Sequence, residues 1–347
     1  KMLENEKVYF KSDNDGELLV KYIAYRNIHY KENIGEAIRN LMRDIKGAYS
    51  SVLCTPTELY MFRDPYSIRP MIWGKTPEGT VIVASESCAL DTLGVQNRKE
   101  VPPAGIIKVS EGTTEVLNND PNLYREGNCE KHCIFEQIYF SRPDSFHFGE
   151  NVYAVREKIG AALALQDEGL NPDLVVPVPD SSNFIGLGYA NQNGIPLSLG
   201  LIRNHYIGRT FIRPEQAIRD ESVRQKFNVL PNFFTGKRIV LIDDSIVRGT
   251  TIRKIVKLIK DAGATEIHLR IGSPQIKHSC YYGIDTPTTQ ELVANRRTLE
   301  EIREITGVDT LNHLALSDLQ NCVQCPENYC YACFDGNYPV GVPDACK

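Results

Sequence analysis

The sequence predicts a two-part architecture: a β-rich α+β layer over the first 115 or so residues, then an α/β unit with a mostly parallel sheet. Three observations carry this. Early in the chain, short runs of alternating apolar and polar residues are separated by turn signals, as half-buried strands require. A polar stretch with Asn, Pro and Gly follows at 115–128 and suits an interdomain connection. Beyond it, amphipathic helices alternate with short apolar strands, the pattern of βαβ units. The expected segments are 1–118 and 119–347, and 347 residues suit two or three domains.

In chain order, one helix is expected over 35–45, followed by strands over 50–54, 59–63, 80–85 and 105–109. In the second part, Val152, Val155, Ile159 and Leu163 recur at helical spacing over 152–168, and Gly169 stands where a C-terminal cap belongs. Residues 174–178 read as a strand. The run 238–244 reads as a buried strand, and Ile252, Ile255, Val256 and Ile259 form one face of a helix ending at Gly263. With the strand 266–271 this closes a βαβ unit, right-handed by the general rule.

Apolar residues make up 42% and the net charge is −5, so a nucleic-acid binder is not expected and any anionic ligand must be met by a local basic site. No apolar run approaches 18 residues and no charged-then-apolar leader opens the chain, so neither a membrane span nor a signal peptide is expected, and the expected location is cytoplasmic. The chain opens at Lys1 with Met2 behind it and stops just after Cys346, as a fragment or trimmed chain would.

The loop of the βαβ unit reads Asp243-Asp244-Ser245-Ile246-Val247-Arg248-Gly249-Thr250-Thr251 and joins a strand end to a helix start, the ligand crevice of open α/β sheets. Helix-start N–H groups favour a phosphate, Gly249 lets the backbone approach it, and the threonine hydroxyls add donors. Two adjacent carboxylates would repel that phosphate. A sugar diol and a magnesium ion give them a purpose, while a solvated turn or helix cap is the plain alternative.

The nine residues together resemble the phosphoribosyl pyrophosphate motif of type I phosphoribosyltransferases. By that resemblance Asp243 and Asp244 hold the ribose hydroxyls and Mg²⁺, and Ser245 with Arg248, Gly249, Thr250 and Thr251 binds substrate, the last four at its 5′-phosphate. Three further segments, starting at Cys133 (Cys-Ile-Phe-Glu-Gln-Ile-Tyr-Phe-Ser-Arg-Pro-Asp-Ser), Leu201 (Leu-Ile-Arg-Asn-His-Tyr-Ile-Gly-Arg-Thr-Phe-Ile-Arg-Pro) and Cys280 (Cys-Tyr-Tyr-Gly-Ile-Asp), resemble the amidophosphoribosyltransferase family. The resemblance implies a pyrophosphate loop at 177–182 with Ser181 near the magnesium. It also implies a mobile closing loop over 203–226 that carries Arg203, Arg209, Arg213, Arg219, Arg224 and Lys226, with Tyr206, Arg209 and Lys226 as its substrate contacts. A solvated charged surface is the competing reading of that loop.

Residues 1–115 resemble the later part of the family's glutaminase domain through Asp15-Gly-Glu17, Lys46-Gly-Ala-Tyr49, Phe62-Arg-Asp-Pro-Tyr-Ser-Ile-Arg-Pro70 and Ala84-Ser-Glu-Ser-Cys-Ala-Leu-Asp91. The resemblance implies a partial class II glutaminase, an N-terminal-nucleophile fold of αββα type, in which Asp15 meets the α-amino group of glutamine. Such a domain uses an N-terminal cysteine as nucleophile, and this sequence has none there. A truncated chain, an ammonia-using enzyme and a partner chain carrying the missing part all account for this; truncation is favoured because half a domain would leave strands unpaired. Cys54 and Cys88 are expected to be packed core thiols. The family carries glycine where Ser67 and Ser182 stand.

Of ten cysteines, six lie at Cys280, Cys322, Cys325, Cys330, Cys333 and Cys346, including two C-x-x-C pairs. In a chain without secretion signals this spacing suggests metal or cluster ligation rather than disulfides. Some members of the family carry a [4Fe–4S] cluster, and the matching positions are Cys133, Cys280, Cys330 and Cys333. A zinc site from Cys322, Cys325, Cys330 and Cys333, and no metal at all, are the alternatives.

The expected activity is synthesis of 5-phosphoribosylamine, pyrophosphate and glutamate from phosphoribosyl pyrophosphate, glutamine and water, the first committed step of purine synthesis, ammonia-dependent for this chain alone. A homo-oligomer and feedback inhibition by purine nucleotides are further implications of the resemblance. The rival is a non-catalytic regulator that binds phosphoribosyl pyrophosphate or nucleotides through the same fold.

Overall fold

The computed structural model describes residues 2–118, 130–167, 169–204, 206, 226–286 and 288–342. Its N-terminal part opens with α1 (Met2–Asn5), α2 (Asp15–Tyr30) and α3 (Ile34–Asp44). The α3 helix starts at a capping box between Asn33 and Glu36 and buries Ala37, Ile38, Leu41 and Met42 along one stripe. The α2 helix was not expected. Its apolar residues run around the helix, with Tyr22, Ile23 and Tyr25 buried but Val20, Ile28 and Tyr30 exposed, so no stripe marks it in the sequence.

Seven strands follow: β1 (Ser50–Cys54), β2 (Glu58–Arg63), β3 (Ile72–Lys75), β4 (Val81–Ala84), β5 (Lys99–Glu100), β6 (Ile106–Ser110) and β7 (Thr113–Asn118). They form two antiparallel sheets, ordered β1-β2-β6-β7 and β4-β3-β5. Met61 and Ile107 of the first sheet meet Met71, Val101 and Trp73 between the sheets. The helices α2 and α3 cover the first sheet's other face through Ile38, Leu41, Phe62 and Ile106. The short α4 (Ser87–Thr92) covers the second through Leu90. This is an αββα sandwich, in which burying Ile38 and Leu41 alone stabilises by about 1.5–3 kcal/mol each.

Two expectations need correction here. Residues 115–118 of the supposed connection belong to β7, where pairing with β6 and the bond from Asn118 Nδ2 to Ala104 O (2.7 Å) hold the segment in the sheet. Residues 119–129 lie outside the described ones. Cys54 ends an edge strand and is exposed, whereas Cys88 is buried as expected.

The C-terminal part begins with β8 (His132–Cys133), a π-helical turn (Glu136–Phe140) and a small hairpin of β9 (Phe146–His147) and β10 (Glu150–Asn151). Next come α5 (Val152–Leu165), β11 (Leu174–Pro177), α6 (Asn183–Asn193) and a ribbon of β12 (Leu201–Arg203) and β13 (Phe227–Val229). The chain continues through β14 (Arg238–Asp243), α7 (Thr250–Asp261), β15 (Glu266–Ile271), α8 (Leu299–Thr306) and β16 (Thr310–His313). It closes with α9 (Leu316–Asn321), β17 (Tyr329–Cys330) and α10 (Ala332–Asp335).

The strands β11-β14-β15-β16 form one parallel sheet. On one face α7 packs through Ile252, Ile255, Val256 and Ile259, the four residues its periodicity marks. On the other, α5 and α6 meet at contact distance: a Cβ on Gly160 would stand 1.9 Å from Ile185 O, and one on Gly188 2.0 Å from Glu157 O. The α5 helix ends at Leu165 with Gln166 as its cap, earlier than expected, and Gly169 (φ +86°) belongs to the following loop.

The two parts are joined by direct hydrogen bonds. Lys131 N donates to Tyr66 O and Cys133 N to Ile68 O, while Glu86 Oε2 accepts from Arg142 N (2.7 Å) and Ser145 Oγ (2.9 Å). Among the described residues no helix is long and apolar enough to cross a membrane.

Candidate active site

Parallel pairing places Pro177 of β11 opposite Ile242 of β14, so the loops after both strands emerge side by side at the C-terminal end of the sheet. Val178 N donates to Ile242 O (2.8 Å) and keeps them together. Here two serines meet two carboxylates. Ser181 Oγ donates to Asp244 Oδ1 at 2.6 Å, and Ser182 Oγ to Asp243 Oδ1 at 3.3 Å. Ser245 Oγ adds a bond to Asp244 Oδ2 at 2.7 Å, and Asp244 N one to Asp243 Oδ1 at 3.0 Å. The peptide bond Pro179–Asp180 is cis.

Burial raises both carboxyl pKa values. For Asp243 the charge of Asp244 raises it further, well above the ordinary range; for Asp244 the hydroxyls of Ser181 and Ser245 and the charge of Arg156 oppose the rise. A cation beside the two carboxylates would offset the repulsion between them. The donors are hard oxygens, which suits Mg²⁺, an ion held by one or two carboxylates plus substrate phosphates. Among the described residues no three His, Cys, Asp or Glu side chains form a group that could hold a metal ion.

The rest of the loop wraps the start of α7. Gly249, at φ +76°, is its N-cap and contributes no side chain, which leaves the first-turn N–H groups open to a phosphate. Thr250 and Thr251 are exposed beside it. Arg248 is engaged elsewhere, on Glu291 Oε2 at 2.9 and 3.1 Å, an exposed pair that a phosphate can displace at little cost.

Across the crevice stands the β12/β13 ribbon. Its last paired residue, Arg203, donates to Asp180 Oδ2 at 2.6 Å and ties the ribbon to the 177–182 loop. Tyr206 is 99% exposed, and Lys226 lies at the ribbon's foot, its carbonyl accepting from Asn204 N at 2.8 Å. Arg209, Arg213, Arg219 and Arg224 lie outside the described residues.

Comparison with known proteins matches a glutamine amidotransferase domain to residues 1–92 and a phosphoribosyl transferase domain to residues 150–271. The amidophosphoribosyltransferase of Methanothermobacter thermautotrophicus is 44% identical over 342 residues, which is 98% of this chain and 70% of that protein. The chain belongs to the amidophosphoribosyltransferase family. The Bacillus subtilis member is 41% identical over 350 residues, with 98% of this chain and 70% of the relative covered. A chloroplastic member from Arabidopsis thaliana is 42% identical over 340, and there the chain spans 58% of the relative. The solved glutamine phosphoribosylpyrophosphate amidotransferase of B. subtilis, complexed with ADP and GMP, matches with a TM-score of 0.87 at 40% identity, covering 99% of this chain and 74% of that one. A structure described as the allosteric regulatory enzyme of purine biosynthesis matches at 0.88 and 39% identity, covering 100% and 73%.

Away from the crevice, Asp15 opens α2 and is exposed. The four cysteines that match the family's cluster positions lie on neighbouring segments, without three of them forming a group that could hold one metal ion. Cys133 and Cys330 are register partners on the parallel strands β8 and β17. Cys333 O accepts from Lys277 N and His278 N (3.0 and 3.1 Å), which draws the segment of Cys280 to α10. Burial pushes the Cys330 thiol up to about 12, and Cys133 and Cys333 rise from the same cause with neighbouring thiols adding to it. Cys322 points elsewhere, its Sγ donating to Asp318 O, and Cys325 is exposed, so the alternative zinc set does not assemble.

The sequence reading missed Arg156. It is 1% exposed on α5, and its guanidinium donates to Gln137 O (2.9 Å) and Ser141 O (2.8 Å). Burial lowers its pKa to about 10 while Asp244, the foremost opposing influence, raises it. A signal existed: position 156 shares the helix face of Val152, Ile159 and Leu163, where a charge needs a partner.

Proposed function

We propose that this chain transfers ammonia to C1 of phosphoribosyl pyrophosphate, giving 5-phosphoribosylamine and pyrophosphate, and that in the whole enzyme the ammonia derives from glutamine. The observation that carries this is the Asp243–Asp244 pair, clamped by Ser181, Ser182 and Ser245 beside the side-chain-free start of α7. A regulator that only binds its ligand would keep the Asp243–Thr251 loop as well, but could lose the pyrophosphate loop, which this chain retains with Ser181 bonded to Asp244. The ribose diol meets Asp243 and Asp244, and the 5′-phosphate meets Arg248, Gly249, Thr250 and Thr251, with Ser245 behind them. The family relationship and the matched phosphoribosyl transferase domain support these roles.

Departure of pyrophosphate leaves positive charge on the ribose ring, so the protein's work is positioning and charge stabilisation in a space without water. Mg²⁺, for which Asp243, Asp244 and Ser181 are fitting donors, supplies charge neutralisation to the leaving group when bound. The segment between β12 and β13, with Tyr206, Arg209 and Lys226, closes over the substrate and excludes water.

The boundary between the parts is proposed at 118/119, where β7 ends. In the glutaminase part, Asp15 is assigned to the α-amino group of glutamine. A [4Fe–4S] cluster on Cys133, Cys280, Cys330 and Cys333 is also proposed. Each thiolate of such a cluster binds a different iron, so the ligands surround a volume instead of converging on one point. Purine nucleotides as feedback inhibitors and a homo-oligomer complete the reading; the ADP and GMP in the B. subtilis structure support the first.

The test is anaerobic pyrophosphate release from phosphoribosyl pyrophosphate and Mg²⁺ with ammonium chloride or glutamine as donor. Ammonium-dependent release is expected. Tight binding without release with either donor would establish the regulator instead.

A further inference from the structure

Ser182 is the N-cap of α6, yet its side chain makes no capping hydrogen bond. Serine at that position ordinarily accepts from an N–H of the first turn. Asn14, Asn33, Asn151 and Thr298 do so at the starts of α2, α3, α5 and α8, so among the described α-helices with Ser, Thr or Asn at the N-cap the omission is particular to α6. The backbone of Ser182 is helical (φ −91°, ψ 0°), whereas those four caps are extended, and the difference turns the hydroxyl away from the helix. It reaches Asp243 Oδ1 instead, at 3.3 Å and 61 residues away in sequence.

The mounting is rigid. Ser182 is completely buried, Gly186 N donates to its carbonyl (2.8 Å), and six residues on Gly188 lies against the α5 backbone. Among the described residues Asp243 Oδ1 accepts one other hydrogen bond, from Asp244 N on its own loop. Ser182 therefore provides the one anchor on this carboxylate that originates from a packed helix.

We propose that in this chain Ser182, at a position where the family usually has glycine, is a positioning residue for phosphoribosyl transfer, whose hydroxyl fixes the Asp243 carboxylate in the orientation that receives the ribose diol and its metal. The inference rests on the reading that Asp243 engages phosphoribosyl pyrophosphate.

The experiment compares the unsubstituted chain with Ser182→Ala, Ser182→Gly, Asp243→Asn and the Ser182→Ala/Asp243→Asn double variant. Readouts are ammonium-dependent kcat/KM, calorimetric affinity for phosphoribosyl pyrophosphate with Mg²⁺, and the thermal midpoint, with Asn33→Ala as a helix-cap control. Loss of a hydrogen bond to a charged group predicts a fall of about ten- to a hundredfold in kcat/KM for both Ser182 variants, with affinity falling alongside. Their midpoints should drop less than that of Asn33→Ala, since no cap bond is lost. In the Asp243→Asn background the Ser182 change should alter affinity by under about threefold, the mark of two groups acting as one.

Kinetics and affinity unchanged in both Ser182 variants would overturn the inference and leave the transferase reading standing. So would a midpoint loss exceeding the control's together with additive effects in the double variant, since Ser182 would then be a structural residue. Absence of turnover by the unsubstituted chain would overturn the transferase reading and the inference with it.

Discussion

Replacing Ser67 by glycine should stabilise the protein. Ser67 lies between β2 and β3 with φ +54°, a left-handed conformation, and is completely buried. An L-residue there costs about 1–2 kcal/mol against glycine. Its hydroxyl has no hydrogen-bond partner among the described residues, which adds about 1–3 kcal/mol. Glycine's greater freedom in the unfolded chain takes back about 0.5–1 kcal/mol. The net gain is about 1–4 kcal/mol, a large share of an ordinary domain's stability. The carbonyl that anchors the junction, accepting from Arg63 Nη2 and facing His132 Nδ1 (both 3.0 Å), is kept by the substitution. Urea unfolding followed by fluorescence of Trp73 measures the change, and Ser67→Ala separates the two contributions by removing the hydroxyl while keeping the strain. Equal or lower stability of Ser67→Gly would refute the reasoning; equality of the Ala and Gly variants would remove its strain half.

Four other outcomes follow from the same geometry. Burial lifts Asp64 to about 6 from 3.8, so its stabilising contribution is complete below about pH 4 and is lost as pH rises through 6, worth about 3 kcal/mol. Asp64→Asn should flatten that part of the urea-midpoint profile, on top of a constant loss from its three backbone N–H partners. Arg156→Met leaves two buried carbonyls without a donor and removes the charge near Asp244; a loss of about 3 kcal/mol in stability and weaker phosphoribosyl pyrophosphate affinity by calorimetry are expected. Gly160→Ala forces α5 from α6 and should cost at least about 1–3 kcal/mol in chemical denaturation. The proposed cluster predicts that anaerobically prepared protein contains iron and sulfide, that Cys333→Ser abolishes both and that Cys325→Ser leaves them unchanged.

The parallel core was legible because each of its signals was local and strong. The four-residue apolar face of α7 and the β15 boundaries needed only periodicity, and the acid pair followed from where β14 ends. What was not legible depends on partners distant in sequence. The β7 strand opens on the polar run Thr113-Thr114-Glu115 and is held in place by the ladder that β6 supplies; α2 is apolar on several sides, so its buried Tyr22, Ile23 and Tyr25 carry no period. Within the site, the residue types at 181, 182 and 243–251 were readable, but the pairing of each serine with one carboxylate required the register of β11 on β14. Arg156 stayed hidden because one charge on an apolar helix face is readily set aside as noise.

The most direct measurement of the central claim is ammonium-dependent pyrophosphate release by the unsubstituted chain and by Asp244→Asn, assayed together with phosphoribosyl pyrophosphate and Mg²⁺. The account predicts release by the first and a loss of at least about a hundredfold in the second, the scale expected when a preorganised charged group is removed from a reacting centre. Equal rates for the two, or no release by the unsubstituted chain, would contradict it.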